Sequence, residues 1–279
     1  MELVNLTTEN QFLRLMIYGK AGSGKTTLTA GASLDARTMP VLHIDAGGNP
    51  ISVIKAGAQP KIVRMTKLAD LNFIYDWLFR GQPVDHPMVA QLGCVPGYKT
   101  LVLDGLTRIQ FMSFGVAMGN TGAPPGNMPT KPEWDHYSRV LLNMTNAFVQ
   151  FYELKMHVMV TALEDADKQF YDPDKVKLKV NELDDSDYYY QAMPAIDGKS
   201  LGRVTGMAET VIRMASKHKV EPSLVKRIEK ASEKNVKYCI AQFQETRSAY
   251  AKDQHGFGVP YLGDPTITQM MDLLEVRNA

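Results

Sequence analysis

Four stretches of the chain are apolar almost throughout, and each stops at a small or acidic residue: FLRLMIYG (12–19), MPVLHIDAGG (39–48), KTLVLDG (99–105) and MHVMVTALE (156–164). Short apolar runs of this kind suit strands buried on both faces, as in a parallel sheet. Between them the spacing changes to that of helices. Leu68, Leu71, Tyr75 and Leu78 fall at i, i+3, i+7 and i+10, and Tyr137, Leu141, Met144, Phe148 and Phe151 mark one face of a long helix over 133–154. Strands alternating with helices predict an α/β fold: a mostly parallel central sheet with right-handed crossovers, flanked by helices. Two later runs, AETVIRMAS (208–216) and KYCIAQFQ (237–244), are shorter and predict a late, hairpin-like antiparallel extension. No internal repeat is present.

The first junction carries chemistry. Gly19-Lys20-Ala21-Gly22-Ser23-Gly24-Lys25-Thr26 fits G-x-x-x-x-G-K-[ST] without a gap, between an apolar run and a proline-free stretch (27–34) that reads as a helix. That is the strand–loop–helix setting of a P-loop. Glycines admit backbone conformations closed to other residues, and successive N–H groups then form a seat for phosphate. Gly19 to Thr26, with Thr27 opening the helix, are the predicted nucleotide-binding residues; Lys25 reaches the β- and γ-phosphates and Thr26 ligates Mg²⁺. A second metal ligand is needed at the end of another buried strand. Asp104, closing KTLVLDG, is placed for it.

Composition narrows the class. The 279 residues suffice for one large α/β domain or two small ones, and the apolar fraction (44%) suffices for a core. A formal net charge of +1 names no partner, so any nucleic-acid contact must rest on a local basic patch. The two cysteines and six histidines show no metal-binding spacing. The start of the chain is polar and mixed, and no apolar run approaches the roughly 18 residues that span a bilayer. The expectation is a soluble, cytoplasmic protein without a membrane partner.

The order of P-loop, HIDAGG, LVLD, long helix, VMVTALED and a late AYAKDQHGFG (249–258) resembles the RecA-like ATPase core. More narrowly, it is similar to phage-encoded RecA-core, AAA-domain nucleotide-binding proteins of the single-strand annealing and recombination group. The resemblance covers about 13–274. It implies a single RecA-like ATPase domain over 1–279, ATP and Mg²⁺ as cofactors, and self-association as a ring or filament with nucleotide at the interface. It further implies single-stranded DNA as partner, a possible replication or recombination protein partner, and the host cytoplasm if the chain is phage-encoded. In such proteins the strand after the P-loop helix ends in an aspartate and then a water-polarising glutamate. Asp45 matches the first; Gly47 stands in place of the second, and the alternative position after the metal aspartate is Gly105. Related helicases and recombinases also carry a late lysine and then an arginine that reach a neighbour's γ-phosphate. Lys252 matches, and Gln254 replaces the arginine. With Lys25, the candidate catalytic residues are therefore Asp45, Glu164 at the γ-phosphate-sensing strand end, and Lys252, with Arg247 entering from the same edge. Asp45 also reads as a turn cap and Glu164 as a solvated strand end. A positioned base contributes about 10²–10⁴-fold and an arginine finger about 10³–10⁵-fold. Weak hydrolysis is expected, and Gly47→Glu is expected to raise it provided the new carboxylate can reach the water.

Three segments are candidate contacts with a partner. The segment 119–133, with three glycines and four prolines, and the segment 165–200 are predicted as irregular loops at the positions that face DNA in RecA-like proteins. The tyrosines at 188–190 either stack on bases or pack as a strand edge. The run 164–187 carries nine acidic residues against four lysines, which repels phosphate. A basic insertion at 217–236 lies in the span 213–237, where eight Lys/Arg face three Glu; it is a partner surface or a solvated helix. The acidic run and the missing groups equally fit an alternative function, a nucleotide-gated assembly or loading factor acting on a protein of the replication machinery. A small-molecule kinase is disfavoured because 165–200 contains no arginine for a lid.

Overall fold

The computed structural model describes residues 12–47, 51–119, 133–165, 169–171, 188–218, 237–246 and 249–278. The apolar runs become adjacent strands: β1 (Arg14–Gly19), β2 (Val41–Asp45), β4 (Thr100–Asp104) and β5 (His157–Asp165), with β3 (Lys61–Arg64) at one edge. On the other side lie β9 (Thr210–His218), β10 (Lys237–Gln242) and β12 (Tyr261–Gly263). The order is β12-β10-β9-β1-β5-β4-β2-β3; β8 (Met193–Pro194) pairs with β5 and β11 (Lys252–Asp253) with β9. All neighbours from β9 to β3 are parallel, while β10 and β12 are antiparallel. The predicted late extension is thus present. Its first strand is more than a hairpin arm, however, because β9 runs parallel to β1 and lies inside the sheet.

Alternation along the strands divides the core between two faces. Met16 and Tyr18 of β1, Leu101 and Leu103 of β4, and Val158, Val160 and Ala162 of β5 pack on one side. The intervening Leu15, Ile17, Val102 and Met159 pack on the other. This period of two requires apolar residues at every position of a strand covered on both faces. The first face is covered by α3 (Ala69–Phe79), α5 (Leu106–Ala117), α6 (Trp134–Tyr152) and α7 (Ser200–Met207). The predicted stripe on α6 is observed: Met144, Phe148 and Phe151 are buried, whereas Tyr137 at its start is exposed. The second face takes α1 (Lys25–Ala30) and α8 (Ile267–Asn278), with Ile267, Met270 and Leu274 inward. Arg37 fastens α8 to the body of the domain, bridging Asp35 with Asp272 and Glu275. The short α2 (Ile51–Lys55) and α4 (Pro87–Leu92) complete the set.

Two predicted stretches differ from expectation. The helix after the P-loop is shorter than 27–34, because it tightens to a 3₁₀ turn over Gly31–Leu34. Glycine is a poor helix former, and the Ser33 hydroxyl donates to the Ala30 carbonyl in competition with the helical ladder. The segment 165–200 is not wholly irregular. Tyr188–Tyr190 forms β7 and pairs antiparallel with β6 (Gln169–Tyr171), as the strand preference of tyrosine allows. The segments 120–132, 172–187 and 219–236 lie outside the described residues, as does Arg247. No described helix is long and apolar enough to cross a membrane.

Candidate nucleotide site

Every parallel strand ends at the same edge of the sheet, and the polar strand ends line up there. Register places Asp45 beside Asp104 and Asp104 beside Thr161, with Arg64 beyond Asp45. The P-loop leaves β1 at this edge. Gly22 (φ +75°) and Gly24 (φ +96°) hold left-handed backbone that favours glycine. Gly19 has a different constraint: a Cβ there would sit 2.2 Å from the Met214 carbonyl oxygen of β9, so the loop can follow this path only without a side chain.

The buried Lys25 ammonium donates to the carbonyls of Gly19 (2.8 Å) and Lys20 (3.0 Å), curling back into the loop. Burial pushes its pKa below the ordinary lysine value, opposed by the negative charges of Asp104 and Glu164. The Thr26 hydroxyl donates to Asp104 Oδ2 (2.8 Å), and the Thr161 hydroxyl donates to Asp104 Oδ1. His43 Nε2 lies 3.3 Å from Asp104 Oδ2. Burial alone pushes the Asp104 carboxyl up, but the contacts with His43, Thr161 and Thr26 together hold it below its ordinary value. An ionised carboxylate beside a threonine hydroxyl is the donor set a hard divalent cation takes. The loop also leaves the Ser23 hydroxyl buried without a hydrogen-bond partner among the described residues. The residues present therefore fit a phosphate tail with Mg²⁺.

A cleft of about 630 Å³ opens from the P-loop across the ends of β2 and β4 to the first turns of α5. Lys25, Thr26, Asp45, Asp104, Thr161 and Arg108 are among the residues that line it. Asp45 Oδ1 accepts the Gly47 N–H (3.0 Å), and Asp45 Oδ2 lies 3.6 Å from Arg64 Nε. Gly47 holds φ +148° and Gly105 φ +106°. The positions where a catalytic glutamate is expected therefore carry backbone that disfavours any side chain.

Two of the predicted catalytic residues are engaged elsewhere. Glu164 is neither a solvated strand end nor a lining residue of the cleft. Its buried carboxylate receives two hydrogen bonds from Arg213 of β9 (2.9 and 3.1 Å). Lys252 donates to the carbonyls of Gly206 (3.1 Å) and Ala208 (2.8 Å), closing the end of α7 within its own chain. The backbone N–H of Gln254 donates to the Glu209 carbonyl (2.9 Å), continuing this intrachain lacing.

Sequence reasoning missed His43, Thr161, Arg108 and Arg213. Thr161 had a readable signal, a polar residue inside the apolar run HVMVTALED. His43 had another, since it lies two positions before Asp45 on the same strand and therefore points to the same face.

Solved structures show weak similarity. A KaiC-like protein of Pyrococcus horikoshii OT3 is 12% identical with a TM-score of 0.41, over 86% of this chain and 82% of its own. The RadB recombinase is 12% identical with a TM-score of 0.33, over 86% and 89%. The pCW3 conjugation coupling protein TcpA is 8% identical with a TM-score of 0.35, over 95% and 65%. No curated protein matches the sequence. Residues 11–255, which include the P-loop, Asp104 and the parallel core of the sheet, match the AAA domain. The chain belongs to the AAA domain family, with a nucleotide-binding P-loop at the edge of a mostly parallel sheet flanked by helices.

Proposed function

We propose that this domain binds ATP with Mg²⁺ in the cleft, turns it over slowly, and uses the bound nucleotide to gate self-association on single-stranded DNA. The observation that carries the reading is the meeting of Lys25 with the Thr26–Asp104–Thr161 chain at one sheet edge. Thr26 and Asp104 are the residues that would hold Mg²⁺, which when bound neutralises charge on the phosphates. Lys25 supplies a fixed cation beside them, pre-oriented by two carbonyls. Asp45 is the carboxylate left in the cleft to orient water. Its oxygens are already shared with the Gly47 N–H and Arg64, so it serves water poorly. Glu164, held by Arg213, acts on the site through its negative charge at Lys25, while Lys252 is tied to the end of α7.

Topology supports the DNA part. β5 and β9 both run parallel to β1, so the chain leaves them at the P-loop edge. The segments that follow are 166–187 and the basic 219–236. A ring or filament would place such segments of successive copies side by side. The acidic balance of 164–187 favours a second reading, a loading factor whose partner is a protein. One experiment decides between them: fluorescence anisotropy of a labelled oligonucleotide, with and without ATP, across a salt series. A DNA binder loses affinity linearly in log salt and gains affinity with ATP. No binding above background at physiological salt, with or without ATP, rejects the DNA reading in favour of the protein partner.

A further inference from the structure

Two of the residues that line the cleft, Lys25 and Arg108, carry a fixed positive charge, and other cations of the sheet are committed. Lys25 is held by two P-loop carbonyls, Arg213 by Glu164, and Lys252 by the end of α7. Arg64 faces Asp45. Arg108 is different. It lines the same cleft as Lys25, Thr26 and Asp104, and among the described residues its guanidinium has no hydrogen-bond or ion-pair partner. We infer that Arg108 reads the terminal phosphate of the bound nucleotide from within the chain, taking the task the resemblance assigns to an arginine of a neighbouring copy. The inference rests on the ATP reading above and names the residue that distinguishes triphosphate from diphosphate.

A solvated arginine on a helix is common, so exposure alone means little. The anchoring of this one is specific. The N–H of Arg108 donates to the Gly105 carbonyl (2.8 Å) in the first turn of α5, immediately after the metal aspartate. That turn is pinned to the neighbouring strand, because the Thr107 hydroxyl accepts the Leu163 N–H (3.1 Å) and donates to the Ala195 carbonyl (3.0 Å). The Cα of Arg108 is thus fixed relative to Asp104 and Thr161. The stem of Arg108 lies over Gly47, whose missing Cβ would stand 3.4 Å from Arg108 Cγ and 3.7 Å from Nε. The glycine found where a glutamate is expected therefore leaves room for an arginine. A glutamate there would crowd the stem and pair with the guanidinium. What remains is a fork of donors on an anchored Cα, with no described acceptor, facing a cleft that Lys25, Thr26 and Asp104 also line. Guanidinium–phosphate contacts are charge-assisted and can be bidentate.

The test is titration calorimetry of ATPγS and of ADP, each with Mg²⁺, on wild type, Arg108→Ala and Arg108→Lys. Losing a hydrogen bond to a charged group corresponds to about tenfold or more in affinity. Arg108→Ala is expected to weaken ATPγS about tenfold and leave ADP within about twofold. Arg108→Lys should recover only part of the loss, since an ammonium cannot reproduce the fork. An equal loss for both nucleotides, or no loss for either, overturns the inference while leaving the ATP reading in place. Wild type binding neither nucleotide overturns both. Urea unfolding of the variants is expected to match wild type, because the side chain supports no other described group.

Discussion

The substitution Gly47→Glu puts the expected carboxylate back where the sequence pattern asks for it. On sequence grounds it should raise hydrolysis; the structure reverses that expectation. Gly47 holds φ +148°, a conformation essentially reserved for glycine, and a residue forced there costs about 1–3 kcal/mol. Its Cβ would meet Arg108 Cγ at 3.4 Å, the near limit of ordinary contact, so the rest of a longer side chain competes with the arginine stem for space. The new carboxylate then has a guanidinium beside it, and an ion pair there occupies both groups. The expected result is a loss of roughly 1–3 kcal/mol in urea unfolding. For a domain of this size that is a fall of about 2–4 °C in Tm per kcal/mol. Steady-state phosphate release should stay at or below the wild-type rate. The assay compares wild type, Gly47→Ala and Gly47→Glu. Alanine carries the backbone penalty without the charge, so the difference between the two variants isolates the ion pair. A Gly47→Glu protein as stable as wild type, with hydrolysis raised tenfold or more, would show that the backbone tolerates a side chain and that only a base was missing.

Asp104→Asn keeps the size of the side chain but removes the charge that Thr26 and Thr161 address. Nucleotide affinity should fall about tenfold with Mg²⁺ and much less in EDTA, and equal losses in the two buffers remove Asp104 from the metal shell. His157 should make the fold acid-sensitive: burial pushes its pKa from 6.5 to about 4, and its Nδ1 accepts the Leu13 N–H (2.9 Å), so protonation breaks that bond. Because the folded value is the lower one, the unfolded chain binds the proton first; the contribution, 6.5 − 4 or about 2.5 pH units and roughly 3 kcal/mol, is complete above pH 6.5 and lost as pH falls toward 4. Urea unfolding at pH 7, 5.5 and 4.5 should show a steeper decline for wild type than for His157→Asn, and parallel declines refute the assignment.

What could be read from the sequence was local. The P-loop is one contiguous motif whose glycines, lysine and threonine act within a single turn of chain. Asp104 announced itself as the acid that ends an apolar run. The strands were legible because burial on both faces forces them to be apolar. What could not be read were contacts between distant segments. Glu164 looked like a solvated strand end or a phosphate sensor until Arg213, 49 positions later, met it across the sheet. Lys252 matched a neighbour-reaching lysine, yet its partners are the carbonyls at the end of α7, 44 and 46 positions earlier. Arg108 carries no motif, and its relation to Gly47 exists only because β2 and β4 lie side by side.

The same geometry bears on what a slow site is for. A ligand shifts an assembly equilibrium only by its difference in affinity for the two states, so a gate needs the γ-phosphate to be sensed more than it needs the bond to be cleaved. Groups for holding nucleotide are present: buried Lys25, and the half-buried Thr26 and Asp104 with buried Thr161 and His43 as partners of the carboxylate. The positions for a strong base hold glycines whose backbone resists replacement. Arg108 sits in the first turn of α5, and α5 leads directly to the segment 119–133. A contact at Arg108 is therefore made on the helix that enters that segment. On the proposed function, nucleotide state reaches the partner surface through the helix that follows the metal strand. Arg108→Ala should then abolish the dependence of oligonucleotide binding on ATP while leaving the ATP-independent, salt-sensitive part intact.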